Sequence, residues 1–198
     1  KYAEEGTQAH EVCETALRHK LKDWENGKPF NLLTDWVHQP TLTEMVNAAN
    51  QYVEFVYLQW GLYLHQPEVF IEQEVDVSQW VPGGFGTCDC LLIGDGILHI
   101  IDFKYGQGVL VEAENNPQIM LYALGALCAY DALYDVDEVA MTIYQPRREN
   151  ISTWTISVDA LKAWAKEVLT PRARLAFEGK GDYRPGAWCV FCRAAVKC

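Results

Sequence analysis

Three polar side chains interrupt segments whose pattern is otherwise that of buried strands. Asp89 follows Gly86-Thr-Cys, and Asp102 and Lys104 flank Phe103 thirteen residues further on. The segments that carry them are Thr87-Cys-Asp-Cys-Leu-Leu-Ile and Ile97-Leu-His-Ile-Ile-Asp-Phe-Lys, joined by Gly94-Asp-Gly, a strong hairpin signal. Pairing as antiparallel neighbours would bring Asp89 and Asp102 together at one end. Lys104, two residues after Asp102, points to the same face of its strand. A carboxylate in a buried strand needs a cation, and both Lys104 and a divalent metal meet that need. The chemistry that uses such a set is phosphodiester hydrolysis. Two carboxylates hold a hard cation such as Mg²⁺. The cation polarises a phosphate and acidifies a bound water. The lysine orients that water and stabilises developing charge. The Phe103 carbonyl is a natural further oxygen ligand. Taken alone, the Asp-x-Lys triplet reads equally as a strand-end salt bridge.

Other candidates occur in a consistent order along the chain. Gln118 and Tyr122 are one helical turn apart and share a face. Gln118 follows Pro117 and also reads as a helix-start cap, and Tyr122 as core. His10 lies on the first helix, where a solvent-facing histidine is the alternative. Glu72 and Glu74 lie on the strand before Asp89, and the sequence does not choose between them.

The elements that position these residues follow from periodicity. Residues 5–24 predict a helix capped by Thr7 and ended by Gly27-Lys-Pro. Residues 42–65 predict a second helix, capped by Thr43. Val69–Val77 alternates as a strand, and Pro82-Gly-Gly-Phe-Gly is a turn-rich link to the next one. The strand of Asp102 is nearly continuous in apolar residues and so central in its sheet. A helix runs from Asn116-Pro117 to about Tyr130, a strand covers 139–145, and an amphipathic helix covers 158–177. This order is α/β, with a central sheet flanked by helices. It divides one domain, 1–198, into N-terminal helices (1–66), a core (67–178) and a cysteine-bearing C-terminal tail (179–198).

The bulk properties are compatible with that core. The chain has 198 residues, 49% hydrophobic and 22% charged, enough for one real core and ordinary for a globular protein. No apolar run is long enough to span a bilayer, and the first residues have no signal-peptide character, so the expectation is a cytoplasmic protein with no membrane role. A formal net charge of −11 argues against nucleic-acid binding only where no bound cation changes the local sign. The basic residues concentrate in the last third, from Arg147-Arg148 through Lys162, Lys166, Arg172 and Arg174 to Lys197, although each also reads as a solvated surface charge.

Taken in order, Gly6-Thr-Gln-Ala-His10, Gly86-Thr-Cys-Asp89, Asp102-Phe-Lys104 and Gln118-Ile-Met-Leu-Tyr122 resemble the PD-(D/E)XK nuclease superfamily. Within it, they resemble the RecB-type branch that includes the AddB nuclease domain, CRISPR-adaptation exonucleases and a phage-associated group. The resemblance implies a restriction-endonuclease-like core with a central mixed sheet. It implies a DNA exonuclease using Mg²⁺ or Mn²⁺, encoded by a phage or prophage and acting in recombination or repair in the bacterial cytoplasm. A helicase or single-strand-annealing protein would be its partner. His10, Asp89, Asp102 and the Phe103 carbonyl would bind metal, Lys104 would be the catalytic lysine, and Gln118 and Tyr122 would position the site and the DNA strand. Asp102 stands where many relatives have Glu, a mild departure since both bind metal. The alternatives are a catalytically idle DNA-binding or assembly module of the same fold, or an iron–sulfur or zinc protein with structural acids.

There are seven cysteines, an odd number that does not suggest a disulfide framework. Cys189, Cys192 and Cys198 form a C-x2-C-x5-C pattern near Trp188 and Phe191, which points to a soft-metal site. The resemblance implies that such a triplet joins a fourth, N-terminal cysteine around a [4Fe–4S] cluster. The fourth ligand is not identified in this sequence, and Cys13, which lies beyond His10 where the relatives' cysteine precedes the histidine, is one alternative. A zinc site and free thiols remain open.

Overall fold

The computed structural model describes residues 2–26, 40–194 and 196–198. Gly27-Lys-Pro and the side chain of Phe191 lie outside the described residues.

Five strands form one mixed sheet in sequence order: β1 (Glu68–Asp76), β2 (Phe85–Gly94), β3 (Ile97–Phe103), β4 (Glu138–Gln145) and β5 (Asn150–Ser157). The β3–β4 pair is parallel and the others antiparallel. Parallel neighbours need a crossover, here supplied by α3 (Pro117–Tyr134). The β2–β3 turn falls at Asp95-Gly96, both with positive φ (49° and 76°) as a two-residue hairpin of this twist requires.

Helices cover both faces. On one, α1 (Tyr2–Glu25) and α2 (Pro40–Trp60) bury Ala9, Val12, Ala16, Leu17, Ala49 and Tyr52 against Cys90, Leu92, Ile101 and Phe103. On the other, α3 and α4 (Val158–Trp164) bury Ile119, Ala123, Leu124 and Leu161 against Leu91, Ile93, Ile100 and Met141. The strands from β2 to β4 are thus apolar on both sides, as their continuous hydrophobic runs require.

Several boundaries differ from the sequence reading. The first helix begins at Tyr2, so Thr7 lies within it and is not its cap. The second starts at Pro40 and ends at Trp60, so Thr43 is also interior. Proline suits the first helical turn, where its missing N–H has no partner to lose. The amphipathic segment 158–177 is α4, a π-helical turn at Ala165–Leu169, and α5 (Thr170–Phe177) with Pro171 in its first turn. Strand β5 is an addition to the expected four. Its Asn150, Ser152, Trp154 and Ile156 point inward and alternate with exposed Ile151, Thr153, Thr155 and Ser157. Among the described residues, no helix is long and apolar enough to cross a membrane.

Candidate active site

The site lies where strands β1, β2 and β3 stop behaving as a regular sheet. In β1, Ile71 faces α1 and α2 while Val75 faces α3, although residues four apart should share a face. In β2, Cys90 faces α1 and α2 while Cys88 faces α3, although residues two apart should share one. The pairs Ile71–Cys90 and Gln73–Cys88 hold, so both strands slip by one face between them, at Glu72 and Asp89. Glu72 carries the distortion in its backbone, with φ at 52°, a left-handed conformation rare in a strand. Arg18 on α1 donates to the Ile71 carbonyl at 2.8 Å and satisfies an acceptor beside the break.

The β2–β3 ladder ends at the same level. Its last pair is Cys90 with Ile101, so Asp89 and Asp102 stand opposite each other just beyond it. The carboxylate of Asp89 closes the gap, and its Oδ2 accepts the Phe103 backbone N–H at 2.7 Å. Glu72, Asp89 and Asp102 therefore form a row of three carboxylates on three adjacent strands.

The row straddles the sheet. On the α1 side, His10 Nδ1 lies 3.3 Å from Asp89 Oδ1, with its ring edge-on to Phe103. One donor atom each from His10, Glu72 and Asp89 fall within 4.8 Å of one another, the geometry of a cation site. On the α3 side, Lys104 Nζ lies 2.8 Å from Asp102 Oδ2 and donates to Gln118 Oε1 at 2.9 Å. Gln118 Nε2 donates to the Tyr122 hydroxyl at 3.0 Å. Asn116, not Gln118, caps α3: its side chain accepts the Gln118 and Ile119 N–H groups, which frees the Gln118 amide for Lys104. Tyr122 reaches this position because residue 86 is glycine. A Cβ there would stand 2.6 Å from Tyr122 Cε1.

Electrostatics follow from crowding acids in a half-dry site. Burial, reinforced by the charge of Asp89, raises the Asp102 carboxyl to about 6 against the pull of Lys104. Burial and then Asp89 raise Glu72 to about 7. Burial pulls His10 down, but the hydrogen bond and charge of Asp89, with Glu72 and Asp102, outweigh it, and His10 is raised overall. Asp102 Oδ2 is buried, with the Lys104 ammonium 2.8 Å away as its cationic partner. An imidazole and the carboxylates of Glu72, Asp89 and Asp102 make a donor set suited to a divalent cation.

The structure thus gathers His10, Asp89, Asp102, Lys104, Gln118 and Tyr122. Phe103 enters through its N–H and its buried ring. Glu72 joins them, and Glu74, exposed and paired with Thr87, does not. The tail differs. Cys192 and Cys198 are exposed, and Cys189 Sγ accepts the Gly186 N–H at 3.3 Å. Among the described residues the three thiols form no gathered ligand group, and Cys13 is buried in the α1–α2 core. As placed they do not fit a four-thiolate cluster. Arg147, expected among the basic surface charges, has a structural role: it pairs with Glu5 and Glu44 at 2.8 and 2.7 Å and lies 4.1 Å over the Tyr105 ring. Lys162 pairs with Asp131, while Lys166, Arg172 and Arg174 are exposed on the segment from the π-helical turn into α5.

Comparison with solved structures finds a likeness to one described as "Crystal structure of SSO0001", with 13% identity, 79% of this chain and 70% of that chain covered, and a TM-score of 0.36. A family model described as "Protein of unknown function (DUF2800)" matches residues 1–198. That match spans every residue of the chain, which therefore belongs to the DUF2800 family.

Proposed function

We propose that this chain is a divalent-metal-dependent DNA nuclease of the PD-(D/E)XK type, acting from DNA ends. The observation that supports it most is the single focus made by Asp89, Asp102 and Lys104 with the Gln118–Tyr122 pair, drawn from β2, β3 and α3. A salt bridge alone needs only Asp102 and Lys104 at the end of β3. It does not need a second carboxylate held across a broken ladder or a helix whose cap leaves Gln118 free to receive the lysine.

His10, Asp89 and Asp102, with the Phe103 carbonyl, would hold Mg²⁺ or Mn²⁺, and the cation would supply Lewis acidity toward a phosphate and a more acidic water. The protein's own groups do the rest. Lys104, held between Asp102 and Gln118, presents its ammonium as a fixed positive charge toward phosphate oxygens. Gln118 limits the lysine's freedom, and Tyr122 limits that of Gln118. The Phe103 N–H fixes Asp89 by occupying Oδ2 and leaves Oδ1 directed at His10. Exposed Lys166, Arg172 and Arg174 are the candidates for backbone phosphate contacts. A phage-encoded role in recombination, alongside a helicase or annealing protein, belongs to the same proposal.

End-labelled linear DNA incubated with Mg²⁺, Mn²⁺ or EDTA tests the reading, with Asp102→Ala and Lys104→Ala in parallel. Metal-dependent degradation lost in both variants supports it. A folded protein that binds DNA but cleaves none in any metal would make the chain an idle module of this fold.

A further inference from the structure

We infer that β5 is the contact edge of a homodimer: two copies pair their β5 strands antiparallel about a twofold axis at Thr153 and join their sheets into one. The inference stands independently of the nuclease reading.

The two edges of the sheet are built differently. β1 carries Glu68, Glu72, Glu74 and Asp76, its backbone is distorted at Glu72, and Arg18 occupies the Ile71 carbonyl. Charges and local distortions are the devices that keep a strand edge from pairing with another chain. β5, Asn-Ile-Ser-Thr-Trp-Thr-Ile-Ser, has no charge, no proline and no positive φ, in a chain of net charge −11. Among the described residues, no backbone hydrogen bond outside the β4–β5 ladder reaches Asn150–Ile156. The neighbouring segment 109–113 is bonded to the side chains of Gln145, Asn150 and Ser152, and so leaves the outer backbone edge of β5 open. Trp154 and Ile156 pack toward α3, which leaves Ile151, Thr153 and Thr155 exposed on the other face.

A second copy suits this edge for two reasons. A twofold normal to the sheet keeps the faces matched, so a centre at Thr153 sets Ile151 opposite Thr155 of the partner subunit and Thr153 opposite its own copy. Such β-branched cross-strand pairs stabilise neighbouring strands. The ends of β5 are also complementary in charge. Arg148 precedes the strand and Asp159 follows it, both exposed and neither with an ion-pair partner among the described residues. Antiparallel pairing brings the Arg148 end of each strand beside the Asp159 end of the other, while Glu149 falls opposite Ser157 of the partner subunit.

The test is sedimentation equilibrium of the full chain over a concentration series, with circular dichroism and melting curves to establish that each variant is folded. The expected result is a monomer–dimer equilibrium with dimer present at about 100 μM. Ile151→Lys combined with Thr155→Lys sets like charges opposite each other and should weaken dimerisation at least tenfold without loss of fold. Ile151→Lys combined with Thr155→Glu sets opposite charges there and should recover most of that loss. Arg148→Glu should weaken the dimer about threefold, and adding Asp159→Arg should restore it. A folded wild type that stays monomeric at the highest concentration would overturn the inference. So would a dimer that the like-charge pair leaves intact, or equal losses in the like-charge and opposite-charge pairs.

Discussion

The carboxylate of Asp89 takes the place of a missing ladder bond: its Oδ2 accepts the Phe103 N–H at 2.7 Å where β2 and β3 part. One residue thus closes the sheet and faces the candidate metal site. Asp89→Ala should leave that N–H unpaired and cost about 1–3 kcal/mol in denaturant unfolding. Asp89→Asn keeps an oxygen acceptor and should cost clearly less. Both should lose cleavage, so comparing the two separates fold from chemistry.

The metal-free protein should lose stability as pH rises through the acid cluster. Glu72 is raised from its ordinary range to about 7, and Asp102 to about 6. The folded state therefore holds protons that the unfolded chain has released. The stabilising contribution is full below about pH 4 and is lost as pH rises through about 6 for Asp102 and about 7 for Glu72. Glu72→Gln should raise the unfolding free energy at pH 8 by roughly 1 kcal/mol, after discounting for the solvent exposure of this group. A melting series from pH 4 to 8 reads this out, and an unchanged slope in Glu72→Gln would contradict it.

His99 should act in the opposite direction. It is buried among β2, β3 and β4, its Nε2 lies 2.8 Å from Thr142 Oγ1, and burial lowers it to about 4. The neutral ring is favoured in the fold, so its contribution is complete above about pH 6.5 and lost between there and pH 4. The loss should approach about 3 kcal/mol. Replacing it with a neutral residue of similar volume, His99→Gln, should flatten that acid limb.

Gly86→Ala should impair the site without removing a polar group. The added methyl would meet Tyr122 Cε1 at 2.6 Å and push the ring off β2. Tyr122 then leaves Gln118, and Gln118 leaves Lys104. The expected cost is about 1–3 kcal/mol in stability, with a fall in kcat larger than any change in Mn²⁺ affinity. Tyr122→Phe should reproduce the direction of the kcat change at little cost in stability.

Arg147→Ala should reduce stability, by roughly 1–3 kcal/mol, and leave the salt dependence of DNA binding unchanged. Its guanidinium ties the end of β4 to α1 and α2 through Glu5 and Glu44, with its side chain only 15% exposed. A shallower salt slope in a DNA-binding titration would instead assign Arg147 to phosphate contact.

The sequence by itself determined the strand-borne acids and the helices around them. Period-two and continuous apolar runs mark β1 to β4, Asp95-Gly96 marks the hairpin, and Asn116-Pro117 marks the start of α3, because each is a local preference of backbone and side chain. Spacing alone put Lys104 on the face of Asp102, and Gln118 with Tyr122. β5 was not among the strands expected from the sequence: Asn150–Ser157 is short and largely polar, and it is a strand because β4 is there to pair with it. Thr7 and Thr43 misled because capping residues are common inside helices that begin earlier. Only the tertiary structure could choose Glu72 over Glu74. Strict alternation puts both on one face, and the positive φ that separates them is enforced by neighbouring strands and by Arg18, not by any preference of glutamate. Likewise only packing could take Arg147 out of the basic surface, since its ion-pair partners Glu5 and Glu44 lie more than a hundred residues away in sequence.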